Sequence, residues 1–92
     1  MHYITACLKI ISDKDLNEII EEFKKLEKET IKEEGCIQFH VYPLEPSERK
    51  LMLWEIWENE EALNIHFTKP HTQNTLKQEL AEIEWVIRSN VN

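Results

Sequence analysis

Cys36-Ile37-Gln38-Phe39-His40-Val41-Tyr42-Pro43-Leu44-Glu45-Pro46-Ser47-Glu48-Arg49-Lys50-Leu51-Met52-Leu53-Trp54-Glu55-Ile56-Trp57 holds two apolar runs separated by a proline-bearing turn. In the first run Ile37, Phe39 and Val41 alternate with Gln38, His40 and Tyr42, the period of a strand. Pro43 to Ser47 reads as a turn, and Arg49 to Trp57 as the returning strand. Two strands joined so closely form an antiparallel hairpin. The second strand is apolar on both faces, since Leu51 and Leu53 point one way while Met52, Trp54 and Ile56 point the other.

Working outward, Ile4, Ala6, Leu8 and Ile10 alternate with Tyr3, Thr5, Cys7 and Lys9, which predicts a first strand over residues 3–11. Ser12 stands at an N-cap position with Asp15 in the acidic place of a capping box. Leu16, Ile19, Ile20, Phe23, Leu26 and Ile31 then recur at helical spacing, so a helix is expected from about residue 13 to 32, ended by Gly35. Beyond the hairpin, Asn59 opens a short helix with Ala62, Leu63, His66 and Phe67 on one face, and Thr68 caps a third with Pro70 in its first turn. Residues 83–89 supply a fourth strand. The order is β-α-β-β-α-β with the second helix broken in two, a ferredoxin-like α+β arrangement on an antiparallel sheet of strand order 4-1-3-2. Helices cover only one face of such a sheet. The apolar residues on both faces, including Trp85, Val86 and Ile87, therefore call for a second copy of the chain packed sheet to sheet.

Composition narrows the function classes. The chain has 92 residues, 18 acidic against 11 basic, a formal charge of −7 and one glycine. That length holds a single domain, residues 1–92. The negative charge excludes nucleic acid and an anionic membrane surface as partners. A lone glycine excludes glycine-rich phosphate loops and the dinucleotide fingerprint. No run reaches the roughly 18 apolar residues of a membrane span, and the amino terminus lacks a basic leader segment. Two cysteines, Cys7 and Cys36, make no disulfide framework, which points to the cytoplasm and to reduced thiols used for packing.

His66 shares a helical face with Ala62, Leu63 and Phe67 and so points at the sheet. Glu55 lies on a strand among apolar neighbours, where a carboxylate must be paired or hydrogen-bonded. The two could form an orienting pair, with the carboxylate fixing the tautomer of a basic imidazole. A core histidine held by one hydrogen bond, or a plain structural ion pair, satisfies the same pattern. His71 follows His66 by five residues across the helix break, without a third ligand in sight, so no metal site is expected. His40 and His2 read as surface or interface residues. The aromatic set, with Trp57 and Phe67 among it, fits core, dimer contact and the wall of a pocket for a flat apolar ligand.

Glu34-Gly35-Cys36-Ile37, then Leu53-Trp54-Glu55-Ile56-Trp57-Glu58-Asn59-Glu60-Glu61-Ala62-Leu63 with His66 and the Pro70-His71 pair, resembles the antibiotic biosynthesis monooxygenase family of small dimeric α+β barrel proteins. The resemblance covers nearly the whole chain. It implies a pocket between sheet and helices in each subunit and a homodimer closed through the sheet faces. Some members oxidise quinols or polyketide aromatics with molecular oxygen and without metal or flavin, the deprotonated substrate itself donating an electron to oxygen. Carried onto matching positions, the resemblance makes His66 the base or orienter, Glu55 its support, and His71, Trp57 and Phe67 pocket residues. Haem-degrading relatives use an Asn in the first strand and a Trp followed ten residues later by a His; strand one has no Asn here, and Leu76 stands ten residues after His66. Relatives acting on a phosphorylated sugar would favour basic pocket residues, and only Arg49 and Arg88 are candidates.

The resemblance thus implies a cofactor-independent monooxygenase taking a small aromatic or quinol-type substrate and molecular oxygen. Two alternatives stay open. One is a non-catalytic dimeric module for small-ligand binding or stress response. The other is an isomerase or lyase in which the same His66 moves a proton on a sugar-like compound.

Overall fold

A computed structural model describes residues 1–91. Strand β1 spans His2–Ile10, helix α1 Leu16–Thr30, β2 Cys36–Pro43, β3 Lys50–Trp57, α2 Glu60–His66, α3 Pro70–Lys77 and β4 Ala81–Asn90. The strands form one antiparallel sheet in the order β2-β3-β1-β4, the ferredoxin-like topology expected from the sequence. A 3-10 turn at Pro46–Glu48 closes the hairpin, with Arg49 in the left-handed region at φ 50.

Element ends move by a few residues for local reasons. Ser12 Oγ accepts the Lys14 amide at 3.1 Å, an ST turn that holds the chain outside the helix, so α1 begins at Leu16 with Asp15 as its N-cap. Asn59 caps α2 as expected, its Oδ1 accepting the Ala62 amide at 2.9 Å. Thr68 does not cap α3. Its hydroxyl donates back to the Ile65 carbonyl at 2.6 Å, and Lys69 takes the cap position before Pro70.

The core lies between α1 and one face of the sheet. Ile19, Phe23 and Leu26 of α1 meet Ile4, Ala6, Leu8, Phe39, Val41 and Leu51, all buried. Each such large side chain stabilises by about 1.5–3 kcal/mol when withdrawn from water. The same helix shields the edge strand. Lys24 Nζ donates to the Val41 carbonyl at 2.7 Å and Glu27 Oε2 accepts the Val41 amide at 2.6 Å, so this stretch of β2 offers no free backbone. His2, expected near the surface, is buried with its Nδ1 against Asn90 Oδ1.

The opposite face of the sheet is uncovered. Trp54 remains 49% exposed and Ile87 62%, with Tyr42 and Trp85 beside them. A bulge in the β1–β4 ladder, where Cys7 pairs with Trp85 but Leu8 with Ile83, turns Trp85 to the open face and Ile83 to the helical one. No helix among the described residues is long and apolar enough to cross a membrane.

One residue fixes how α2 approaches the sheet. Gly35 takes φ +89, and a Cβ placed there would stand 2.7 Å from Ala62 Cβ, while the Gly35 carbonyl accepts the Glu58 amide at 2.8 Å. Gly35→Ala is expected to destabilise the fold by about 2–4 kcal/mol through strain and collision. Urea unfolding checks this, and an unchanged midpoint would show that the close approach of α2 is not required.

Candidate active site

Glu33 sits on the turn between α1 and β2, not in a regular element, and two backbone bonds hold it there. Its amide donates to the Thr30 carbonyl at 3.0 Å and its carbonyl accepts the Cys36 amide at 3.1 Å. This turn tips the carboxylate inward, leaving it only 5% exposed. One oxygen, Oε2, lies 2.7 Å from His66 Nδ1 and 2.7 Å from His71 Nε2. The break between α2 and α3 makes that double contact feasible. Lys69 donates to the His66 carbonyl at 3.2 Å, and Pro70, which has no amide to satisfy, starts α3 at once.

His66 ends α2 on its inward face, where its ring packs 4.9 Å from Trp57, 5.6 Å from Phe39 and 5.5 Å from Phe67, centre to centre. Burial pushes its pKa below the ordinary histidine value, partly opposed by the Glu33 carboxylate and reinforced by His71. The ring is therefore neutral at pH 7. With Glu33 accepting from Nδ1–H, the lone pair falls on Nε2, and the Thr72 hydroxyl lies beside the ring, 3.2 Å from Nδ1 and 3.5 Å from Nε2.

Glu55 occupies the buried face of β3, where Oε1 accepts the Trp57 indole N–H at 2.9 Å. Burial pushes its pKa up, against the lowering effects of the Trp57 bond, Arg88 and His2. Strand register explains the company: Ile4 pairs with Glu55 on one side and with Arg88 on the other, so one row across the sheet carries a carboxylate and a guanidinium.

Between sheet and helices lies a cavity of about 180 Å³. Ile4, Phe23, Leu63, Phe67 and Leu80 give it apolar walls, and His66, Glu55, Thr72 and Arg88 supply its polar groups. Ile83 and Val86 line it yet stay 65% and 42% exposed, which puts its opening along β4. An apolar cavity near 150 Å³ accepts benzene, so this one has room for a single ring with small substituents.

Of the residues singled out from sequence, His66, Glu55 and Phe67 line this cavity, while Trp57 and His71 stand behind it. His66 and Glu55 share the cavity without pairing: the carboxylate on His66 is Glu33, and Glu55 is held by Trp57, which touches both. Glu33 and Thr72 carry no signal in the sequence that marks them, and of the two candidate basic residues Arg88 lines the cavity while Arg49 does not. Glu33 sits in a Lys-Glu-Glu-Gly run that looks solvated throughout, and only its place two residues before the turn glycine distinguishes it. Neither cysteine is primed as a nucleophile, since burial pushes Cys36 to about 11 and raises Cys7 as well.

The family model for antibiotic biosynthesis monooxygenase matches residues 1–78, and the chain belongs to that family. It is 79% identical to YjcS of Bacillus subtilis (strain 168), an uncharacterised protein, over all of this chain and 88% of that one. A solved structure of protein YJCS superimposes with a TM-score of 0.97 at 79% identity, covering 99% of this chain and 98% of that one. A Bacteroides thetaiotaomicron protein described as a possible oxidoreductase has a TM-score of 0.80 at 26% identity, over 96% and 94% of the two chains. These relatives establish the fold and a monooxygenase-like family.

Burial acts on the two cavity acids with opposite signs, and pH separates them. Glu55 binds its proton more tightly folded than unfolded, so its contribution is full below the ordinary value of 4.5 and is lost as pH rises through the higher folded value. His66 binds its proton less tightly folded, so its contribution is full above 6.5 and is lost as pH falls through the lower folded value. Glu55→Gln should therefore raise the Tm by a few degrees at pH 7, with the gain shrinking toward pH 4.5. A gain that does not vary with pH would mean that Glu55 ionises in the fold without penalty.

Proposed function

We propose that this chain is a cofactor-independent monooxygenase that oxidises a small aromatic or quinol-type substrate with molecular oxygen. The observation that carries the reading is the neutral His66, oriented through Nδ1 by Glu33 and lining an apolar cavity of one-ring size. Such chemistry asks the protein for a base, for hydrogen bonds to an anion and for exclusion of water. The substrate hydroxyl gives its proton to His66 Nε2. The resulting phenolate passes one electron to oxygen, the radical pair combines into a ring peroxide anion, and His66 returns its proton to give the ring hydroperoxide. Loss of water then leaves a quinone, so one phenol and one oxygen molecule become one quinone and one water. Glu33 stabilises the imidazolium that forms, as the carboxylate of a triad does. Glu55, its pKa raised by burial, lines the far wall with Arg88, whose guanidinium can meet the developing anion.

Oxygen uptake with a panel of substituted hydroquinones tests this. Wild-type protein should exceed the buffer rate, and His66→Ala should lose about 100-fold or more. Glu33→Gln should lose less, because the ring remains but its tautomer is no longer fixed. The rate should fall only below the ordinary histidine pH of 6.5, following the lowered pKa of the base. No turnover above buffer with any hydroquinone, and His66→Ala indistinguishable from wild type, sinks the reading.

The working form in this proposal is a cytoplasmic homodimer of one-domain chains. Its support is the uncovered apolar face of the sheet around Trp54, Trp85 and Ile87, a cluster of exposed large apolar side chains of the kind that marks an interaction surface. Sedimentation should give the mass of two chains, and Trp54→Glu should give one. A wild-type monomer at micromolar concentration would overturn the dimer and leave the base chemistry to stand on its own.

A further inference from the structure

The orientation of one base requires one carboxylate and one imidazole. Here the carboxylate oxygen serves two imidazoles, and the second, His71, does not reach the cavity. Base catalysis leaves His71 without a part. The three side chains come from three separate places, the turn after α1, the last residue of α2 and the first turn of α3. Their donor atoms all lie within 4.8 Å of one another. Glu33 and His66 are 5% exposed and His71 23%, so the cluster is walled from solvent with one side within reach of it.

We infer that Glu33 Oε2, His66 Nδ1 and His71 Nε2 form a binding site for one divalent transition-metal ion of the zinc class. The donor set argues for that class. Two imidazole nitrogens and one carboxylate oxygen suit zinc, cobalt, nickel or copper, whereas magnesium and calcium take oxygen ligands. Three protein ligands with one position left for water is the arrangement of open zinc sites. The geometry is close to what the ion needs. Bonds of about 2.0–2.1 Å in a tetrahedron set neighbouring ligand atoms roughly 3.3 Å apart, so each 2.7 Å contact must widen by about half an ångström. The third pair, the two imidazole nitrogens, lies within 4.8 Å, and both rings sit on rotatable side chains that can adjust toward the ion. The sequence reading lacked a third ligand beside His66 and His71. Glu33 is that ligand.

Occupancy has a chemical consequence, and this part rests on the proposed base chemistry. A neutral imidazole that coordinates through Nδ1 carries its proton on Nε2. The ion would thus turn Nε2 from acceptor to donor. His66 then cannot take a proton from a substrate. Metal binding and base catalysis are mutually exclusive states of one side chain, and the ion acts as an inhibitor.

The test uses the full chain, freed of metal by a chelator and then titrated with cobalt(II) in the visible and with zinc by calorimetry. One ion per chain at micromolar affinity or better, with the intense bands of tetrahedral cobalt, is expected. His71→Ala and Glu33→Gln should each weaken binding at least 10-fold. His71→Gln repeats the first with little change of volume if the alanine variant folds poorly. Absence of binding at about 1 mM zinc, or stoichiometric binding unaltered in all of these variants, overturns the site. Zinc should suppress oxygen uptake by the wild-type protein at least 10-fold, and uptake unaltered at full occupancy overturns the inhibition. Binding is read without turnover, so the two proposals separate. A bound ion in a protein that oxidises no hydroquinone keeps the site and discards the oxidation, and turnover without binding does the reverse.

Discussion

Glu33 carries a carboxylate that the fold has taken out of water, and a buried carboxylate is tolerated only where donors meet it. Two imidazole N–H groups at 2.7 Å do so, and they can only because α2 stops at His66 and α3 restarts at Pro70. A continuous helix would rotate residue 71 by about 500° from residue 66, or 140° net, and carry it to the far side. The break in the second helix is thus the condition for burying Glu33. The α1–β2 turn is its counterpart: without the left-handed Gly35, α2 could not come close enough for His66 to reach the carboxylate. Two irregular points of the chain, the α1–β2 turn and the break between α2 and α3, are coupled through one oxygen atom.

The sheet meets a different constraint. Four strands carry apolar side chains on both faces, while the helices cover one, and cover it unevenly. Helix α1 lies toward β2, where Lys24 and Glu27 bond the Val41 backbone. That placement leaves β4 thinly covered and opens the cavity along Ile83 and Val86. The bulge near Cys7 then decides which β4 residues enter the cavity and which join the open face, since an unbroken ladder would put Ile83 and Trp85 on the same side. Cavity and open face are in this sense products of the same register.

Much of the architecture was legible because it is written in periodicity. The alternation of Ile37, Phe39 and Val41, and the helical spacing of Ile19, Phe23 and Leu26, each reflect burial along one element, which a linear sequence records. His66 was legible for the same reason, as a polar residue on an apolar helical face. Glu33 was not, because its burial comes from a turn, and a turn has no period that sets an inward glutamate apart from Glu34 beside it. Glu55 is marked by its apolar surroundings, but its partner is not written in the sequence. Its row mates across the sheet are Ile4 and Arg88, and register of that kind depends on long-range pairing that local pattern does not encode. Ser12 and Thr68 show the smaller version of the same limit: each is a good capping residue that bonds elsewhere in its own loop.

The two buried acids of the cavity also explain why its polarity can coexist with its apolar walls. Desolvation favours the uncharged form of any ionisable group, which lowers the pKa of His66 and raises that of Glu55. A low-dielectric cavity lined by both thus works against charge on either group, with a proton acceptor on one wall and a carboxyl that binds its proton more tightly than usual on another. Neutrality of that kind favours an uncharged ring over an ionic ligand. It also makes charge created inside the cavity expensive unless it is met at once, and the groups available to meet it differ by sign. Glu33 stands behind His66 for a positive ring, and Arg88 stands at the opening for an anion. Charge separation between those two ends is the one polar event for which this otherwise apolar space is arranged.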